Sequence, residues 1–206
     1  MALISKSFIA YGLIPAVALG GLVLARKHFT DSPHILGVSQ VMEEGKPLGD
    51  YAFHLTDASG RLVTNQDFLG RVRLVFFGFT HCPDICPLGL TKMGEVLDHL
   101  GKDREKVASI FITVDPERDT PDKLRVFLEN FPRDFIGLTG SQEEVSAVVA
   151  SYKSYAHKQP SDSSGGYGVD HSSFIYIMDP KGAYKTHVML DADAETIAAQ
   201  IRKNLF

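Results

Sequence analysis

Tryptophan is absent from this 206-residue chain, and cysteine occurs only twice, at Cys82 and Cys86. The missing tryptophan excludes nothing, but the scarcity of cysteine excludes a good deal. A crosslink between residues four apart would close a tiny loop, and the chain-entropy gain of a disulfide grows with loop length, so structural stapling is a poor use for the pair. Two thiolates are also too few for a closed tetrahedral zinc site, which needs about four ligands. No cluster of lysine and arginine exists, and the net charge is −4. The electrostatic footprint of a nucleic-acid binder is therefore lacking, and no nucleic-acid partner is expected. There is no internal repeat and no low-complexity tract. What remains is an ordinary globular composition, 44% apolar and 22% charged, in a chain long enough for one domain with a real core.

Long uncharged apolar runs are equally scarce. One stands out, "FIAYGLIPAVALGGLVLA" (Phe8 to Ala25), flanked by Lys6 and by Arg26-Lys27. It is close to the roughly 20 residues a membrane-spanning helix needs and exceeds the apolar core of about 7–15 residues in a signal peptide. An uncleaved single-pass anchor is thus favoured over a signal peptide cleaved after Val23-Leu24-Ala25. A buried soluble helix fits less well, because the run is broken by Gly and Pro. Arg26-Lys27 against Lys6 and the α-amino group weakly favours a cytoplasmic C-terminus. The short N-terminal region before an apolar core has instead the layout of an export signal, and the domain is taken as exported. These features divide the chain into an anchor over residues 1–27, a Pro/Gly-rich linker over 28–46 and a folded domain over 47–206.

Within that domain, "YAFHLTDASGRLVTNQDF" alternates on either side of Ser59-Gly60, a hairpin signal. "VRLVFFGFT" (Val72 to Thr80) and "VASIFITV" (Val107 to Val114) are continuous apolar runs of strand length, the pattern of strands buried on both faces. Between them Leu90, Met93, Val96, Leu97 and Leu100 recur at helical spacing from Pro87, with Gly101 as a stop. Thr120-Pro121 opens a second helix, "FIGLTG" is a short strand, and Ser141 with Glu144 forms a capping box for a helix reaching Tyr152. Lys158 to Asp170 reads as loop. His171 onward is a strand pair turning at Pro180-Lys181-Gly182, and the chain closes with an amphipathic helix capped by Asp191 or Asp193. The order predicts an α/β fold: a central sheet with parallel βαβ units and helices on both faces. The cysteines fall at the C-terminal end of the first buried strand, where open α/β sheets place their sites.

Three uses compete for Cys82 and Cys86. They could be small buried hydrophobes, although they stand between prolines and not on an apolar stripe. They could be a redox dithiol, since a helix N-terminus stabilises thiolate. They could bind metal, because residues four apart on a helical turn face the same way. Two soft thiolates suit Cu(I), and an imidazole completes a trigonal set or, with a further oxygen, supports Cu(II). Of the eight histidines, His28 and His34 lie in the lead-in, while His54, His99, His157 and His187 have no evident relation to the pair. His81 adjoins Cys82, but neighbouring side chains in an extended segment point apart. His171 follows a Gly/Ser-rich loop and opens a strand, which makes it the candidate third ligand.

"GFTHCPDICP", "VDPERDTP" (Val114 to Pro121) and "GVDHSSFIYIMDPKG" together resemble the Sco/SenC family, copper chaperones for assembly of the copper A centre of cytochrome c oxidase. The resemblance runs from about Pro47 to the C-terminus, and the anchor matches in layout. It implies a thioredoxin-like fold, here with an N-terminal hairpin extension and a single N-terminal transmembrane helix. It also implies copper held by Cys82, Cys86 and His171. The implied partners are the copper A-bearing oxidase subunit and an upstream copper donor. The implied location is an inner membrane, with the domain facing the periplasm or the mitochondrial intermembrane space. Asp84 is the expected supporting group between the cysteines, or else an acid favoured by the helix dipole. Asp170 is expected to orient His171, or else to be an ordinary turn residue. Asp115, Glu117, Arg118 and Asp119 read as a turn and helix cap, with partner docking as a secondary role.

The alternative function is a membrane-tethered thiol–disulfide oxidoreductase that reduces the oxidase subunit's cysteines; peroxiredoxin-like activity is a third. Against an ordinary thioredoxin stand the C-x3-C spacing and the lack of proline between Gly165 and Asp179, where that fold would carry a cis-proline. The roles overlap, since Cα atoms one helical turn apart, about 6 Å, permit a disulfide that would discharge two of three ligands.

Overall fold

The computed structural model describes residues 51–131, 134–161 and 166–206. The apolar run at residues 8–25 and the lead-in to residue 46 lie outside the described residues. Among the described residues, no helix is long and apolar enough to cross a membrane.

Two strands carry the architecture. β3 (Val72–Gly78) and β4 (Val107–Thr113) are buried at every position, as continuous apolar runs must be when both faces of a sheet are covered. They pair in parallel, Val72 opposite Val107 through Gly78 opposite Thr113. α1 (Ile85–Leu100) makes the crossover between them. α2 (Pro121–Leu128) then carries the chain to β5 (Ile136–Thr139), which lies parallel to β4. Two crossovers stepping in the same direction are both right-handed only if their helices share a face. Accordingly Gly89 of α1 packs onto the Phe76 ring, and Leu124 and Leu128 of α2 pack onto Gly137. Phe76, Phe111 and Gly137 are register neighbours on that one face.

The remaining elements complete a seven-stranded sheet of order β2-β1-β5-β4-β3-β8-β9. β1 (His54–Asp57) and β2 (Leu62–Thr64) form the expected hairpin, attached antiparallel to β5. α3 (Gln142–Ser151) follows β5, and the chain then returns across the sheet to β8 (Phe174–Met178). This reversal puts α3 on the opposite face, where Tyr152 at its end meets the edges of Phe77 and Tyr176. β9 (Tyr184–Met189) pairs antiparallel with β8. α4 (Ala194–Leu205) returns to α1, where the Arg202 guanidinium donates to the carbonyls of His99 and Leu100 at 2.9 and 3.1 Å. These are terminal carbonyls that α1 cannot satisfy internally. Thr120, Ser141 and Asp193 accept the cap hydrogen bonds of α2, α3 and α4.

Two boundaries differ from the sequence reading. The stretch read as loop from Lys158 to Asp170 has strand at both ends: β6 (Ala156–Lys158) and β7 (Val169–His171) pair antiparallel as a separate two-stranded sheet. Three-residue strands are too short for alternation to register. In addition, α1 starts at Ile85, so Cys82 precedes the helix and does not occupy a turn of it.

Candidate metal centre

Beyond Gly78 the chain leaves β3 through a tight turn in which the Cys82 amide donates to the Phe79 carbonyl at 3.2 Å. Cys82 ends that turn, partly exposed, while Cys86 lies in the first turn of α1 and is fully buried. The two thiols, both free, are linked through the backbone. The Cys86 amide donates to Cys82 Sγ, and the Phe79 amide donates to Cys86 Sγ, each at 3.4 Å. Cys86 can sit this close to the sheet because residue 78 is glycine. A Cβ there would stand 2.6 Å from Cys86 Sγ and 2.8 Å from the Phe111 ring.

His171 ends β7 and brings Nε2 to 3.4 Å from Cys86 Sγ. Cys82 Sγ, Cys86 Sγ and a ring nitrogen of His171 all lie within 4.8 Å of one another. The edge-on rings of Phe76 and Phe79, 6.1 and 5.7 Å from the imidazole, form an apolar wall behind it. Its Nδ1 lies 3.0 Å from the Ser172 carbonyl oxygen. A carbonyl can only accept, so Nδ1 carries the proton and Nε2 presents its lone pair to the sulfurs. Among the described residues no other histidine joins this cluster. His187, for example, is engaged with the Tyr184 hydroxyl at 2.7 Å.

The expectation that Asp170 orients His171 is corrected here. Successive strand residues point to opposite faces, and the Asp170 carboxylate, exposed, accepts from Gln159 Nε2. The Ser172 carbonyl takes the orienting role, and a backbone group leaves no residue-type signal in the sequence. Asp84 stands at the N-cap of α1 with its side chain exposed and making no cap hydrogen bond. Its contribution to Cys82 comes from its backbone N–H.

The charge on the pair is unequally shared. The Cys86 side chain and the backbone N–H groups of Cys86 and Asp84 hold the Cys82 thiol down to about 4 despite burial. The hydrogen bond with Cys82 and burial push the Cys86 thiol up. The apo pair thus favours thiolate at the partly exposed Cys82 and thiol at the buried Cys86. Below it Asp119, fully buried, accepts from the Thr80 amide at 2.9 Å, the Thr80 hydroxyl at 2.6 Å and the Thr113 hydroxyl at 2.7 Å. That carboxylate ties the cysteine turn to the loop after β4, beyond the turn, helix cap and partner docking expected from the sequence. His81 hydrogen-bonds through Nδ1 to Thr80 Oγ1 at 3.1 Å and remains half exposed outside the cluster.

Residues 41–205 match the SCO1/SenC family model. The SCO2-like protein of Rickettsia felis is 35% identical over 189 residues, covering 91% of this chain and 92% of its own length. The structure of Bradyrhizobium japonicum ScoI with copper bound superposes with a TM-score of 0.70 at 43% identity, over 75% of this chain and 98% of that one. BsSco, described with a disulfide switch and as a member of the Sco family of cytochrome c oxidase assembly proteins, superposes with a TM-score of 0.64 at 27% identity, over 79% and 96% of the respective chains.

Proposed function

The chain belongs to the SCO1/SenC family, and from that premise we propose that it is a copper chaperone whose cargo is held by Cys82 Sγ, Cys86 Sγ and His171 Nε2. One observation carries the reading: three donors of the types Cu(I) prefers converge within 4.8 Å, with the imidazole tautomer already fixed for coordination. Two thiolates and a neutral imidazole are also a donor set for Cu(II) when an oxygen ligand is added. The copper-bound relative of similar fold supports the choice of metal.

Holding copper through both sulfurs would require the Cys86 thiol to give up its proton to solvent. Burial of Cys86 and the phenylalanine wall keep water from the buried side of the site. Cys82, partly exposed, offers the side from which a partner's thiolates could attack the metal. In this proposal the recipient is the copper A-bearing subunit of cytochrome c oxidase, a reading supported by the oxidase-assembly role attached to BsSco. Residues 1–27 tether the domain as a single-pass anchor, residues 28–46 are the linker, and residues 47–206 act in the periplasm or the mitochondrial intermembrane space.

A second reading is favoured by the asymmetry of the pair. A partly exposed thiolate beside a buried, protonated thiol is the arrangement of an attacking and a resolving cysteine. Cys82 would attack a partner disulfide and release one partner thiolate. Cys86 would then displace the second, leaving the partner with two thiols and this chain with a Cys82–Cys86 disulfide.

Anaerobic Cu(I) titration of the reduced full-length chain tests the first reading, with Cys82→Ser, Cys86→Ser and His171→Ala alongside. One tight equivalent lost in all three variants is expected. Absence of tight copper in the wild type, with a reactive Cys82 retained, would transfer the protein to the second reading.

A further inference from the structure

The strand that delivers His171 has little to hold it. β7 is three residues long and pairs only with the equally short β6. Two-stranded ribbons are marginal in water. Besides burial of Val169, the segment ahead of His171 is held chiefly by one side chain from the loop after β4. The Arg118 guanidinium lies 3.6 Å from the centre of the Tyr167 ring and donates through Nη1 to the Tyr167 carbonyl at 3.0 Å. Its Nε is paired with the Asp115 carboxylate, which is itself buried and accepts from the Tyr167 hydroxyl at 2.8 Å. Its Nη2 is buried with no hydrogen-bond partner among the described residues, so that part of the group faces aromatic rings. One of those is Phe79, 5.7 Å from the guanidinium, whose own ring meets His171 edge-on at 5.7 Å. From β6, Lys158 adds a second cation 4.0 Å from the Tyr167 ring and an ion pair to Glu117 at 2.5 Å.

We propose that Arg118 is a positioning residue that clamps Tyr167 and thereby keeps His171 against the two sulfurs, setting how fast copper is released. The inference rests on the copper reading of the site but is tested separately from it. The clamp sits four residues before His171, joins the two loops that flank the site and touches none of the three donors. Asp115 fixes the guanidinium from beneath, and Tyr167 supplies both a ring and a carbonyl. A lysine at 118 could reproduce the charge but not this simultaneous fork and stack.

Release of Cu(I) from the loaded full-length chain to excess bathocuproine disulfonate gives the first readout, for wild type, Arg118→Met, Arg118→Lys and Tyr167→Phe. Loss of a charge-assisted hydrogen bond and a buried cation–π contact predicts release about 10–100-fold faster in Arg118→Met. Arg118→Lys should give little rescue. Tyr167→Phe, which keeps the ring and loses the Asp115 bond, should be intermediate and covers the case in which Arg118→Met does not fold. In the loaded chain the His171 imidazole nitrogen shifts should move toward their apo values in Arg118→Met, because the clamp acts through that histidine. Release no faster in Arg118→Met, or faster release with the His171 shifts unchanged, would overturn the proposal. The second readout needs no metal. In the apo chain, hydrogen exchange at the Gln159 and Ser172 amides, bonded to Gly168 and Tyr155 carbonyls, should quicken in Arg118→Met while the β3–β4 amides do not change. If wild type binds no copper, the proposed function falls but the clamp is still decided by this exchange. Unchanged protection at Gln159 and Ser172 would refute it.

Discussion

Gly78→Ala adds a single methyl group at the point where the site meets the sheet. The new carbon would stand 2.6 Å from Cys86 Sγ, 2.8 Å from Phe111 Cε2 and 3.0 Å from Phe111 Cζ. Ordinary contact needs about 3.5 Å, so the sulfur must retreat by close to 1 Å or the ring must rotate away. Phe111 and Cys86 are both fully buried, so neither can yield without repacking its neighbours. Overpacking of this kind costs about 1–3 kcal/mol. If seating copper requires the sulfur to return to its present place, that strain appears again as lost affinity, about 5–150-fold in the Cu(I) dissociation constant. Competition with a Cu(I) chelator measures the affinity, and urea unfolding of the apo chain measures the stability. Gly137→Ala is the control, because its Cβ meets the flexible end of Leu128 at 2.6 Å on the same sheet face, outside the donor cluster. It should lower stability and spare copper. If Gly78→Ala folds and binds copper as wild type does, the close approach of Cys86 to β3 does not set the geometry of the site.

The Cys82 thiol, held down to about 4, should react with iodoacetamide at a rate that is flat across neutral pH and falls only as acid protonates it, below about pH 5. Cys86→Ala removes the side chain that stabilises the thiolate, and the fall should move to higher pH; a normal thiol profile in wild type would refute the unequal pair. Asp119→Ala strips the acceptor from the buried Thr113 hydroxyl and from the partly buried Thr80 hydroxyl and amide, with an expected loss of about 2–4 kcal/mol in urea unfolding. A loss below about 0.5 kcal/mol, the scale of a neutral surface change, would show that Asp119 does not tie the two loops. Asp170→Ala should leave the His171 tautomer, read from imidazole nitrogen shifts, and Cu(I) affinity unchanged, because Ser172 and not Asp170 meets Nδ1. A switch of tautomer would restore the orienting role to Asp170.

Where packing imposes a strong pattern, the sequence was readable. β3 and β4 announce themselves as uninterrupted apolar runs because both sheet faces are covered, and Thr120, Ser141 and Asp193 mark helix starts because they are capping residue types. The three donors were nameable from Cys and His chemistry together with family resemblance. The short strands β6 and β7 were not, since three residues carry no period, and Lys158 and Asp170 face solvent. The start of α1 also escaped. Pro87 resembles a first-turn proline, yet the helix begins at Ile85 and leaves Cys82 in the preceding turn. Nor could the sequence reveal that Arg118, spaced like part of a helix cap, spends its guanidinium on a tyrosine 49 residues away.

The separation of the donors along the chain has its own consequence for when the protein can act. Cys86 and His171 are 85 residues apart, and β8, which follows His171 and docks on β3, is nearly the last strand to be made. A ribosome releases the dithiol well before the histidine. Bringing the two together then requires closing a long loop after the parallel β3–β4–β5 core has formed. An unfinished or truncated chain therefore exposes two thiols but no three-donor cradle. Competence to hold the ion arrives at the end of folding, which couples the capture of a reactive metal to completion of the domain that must carry it.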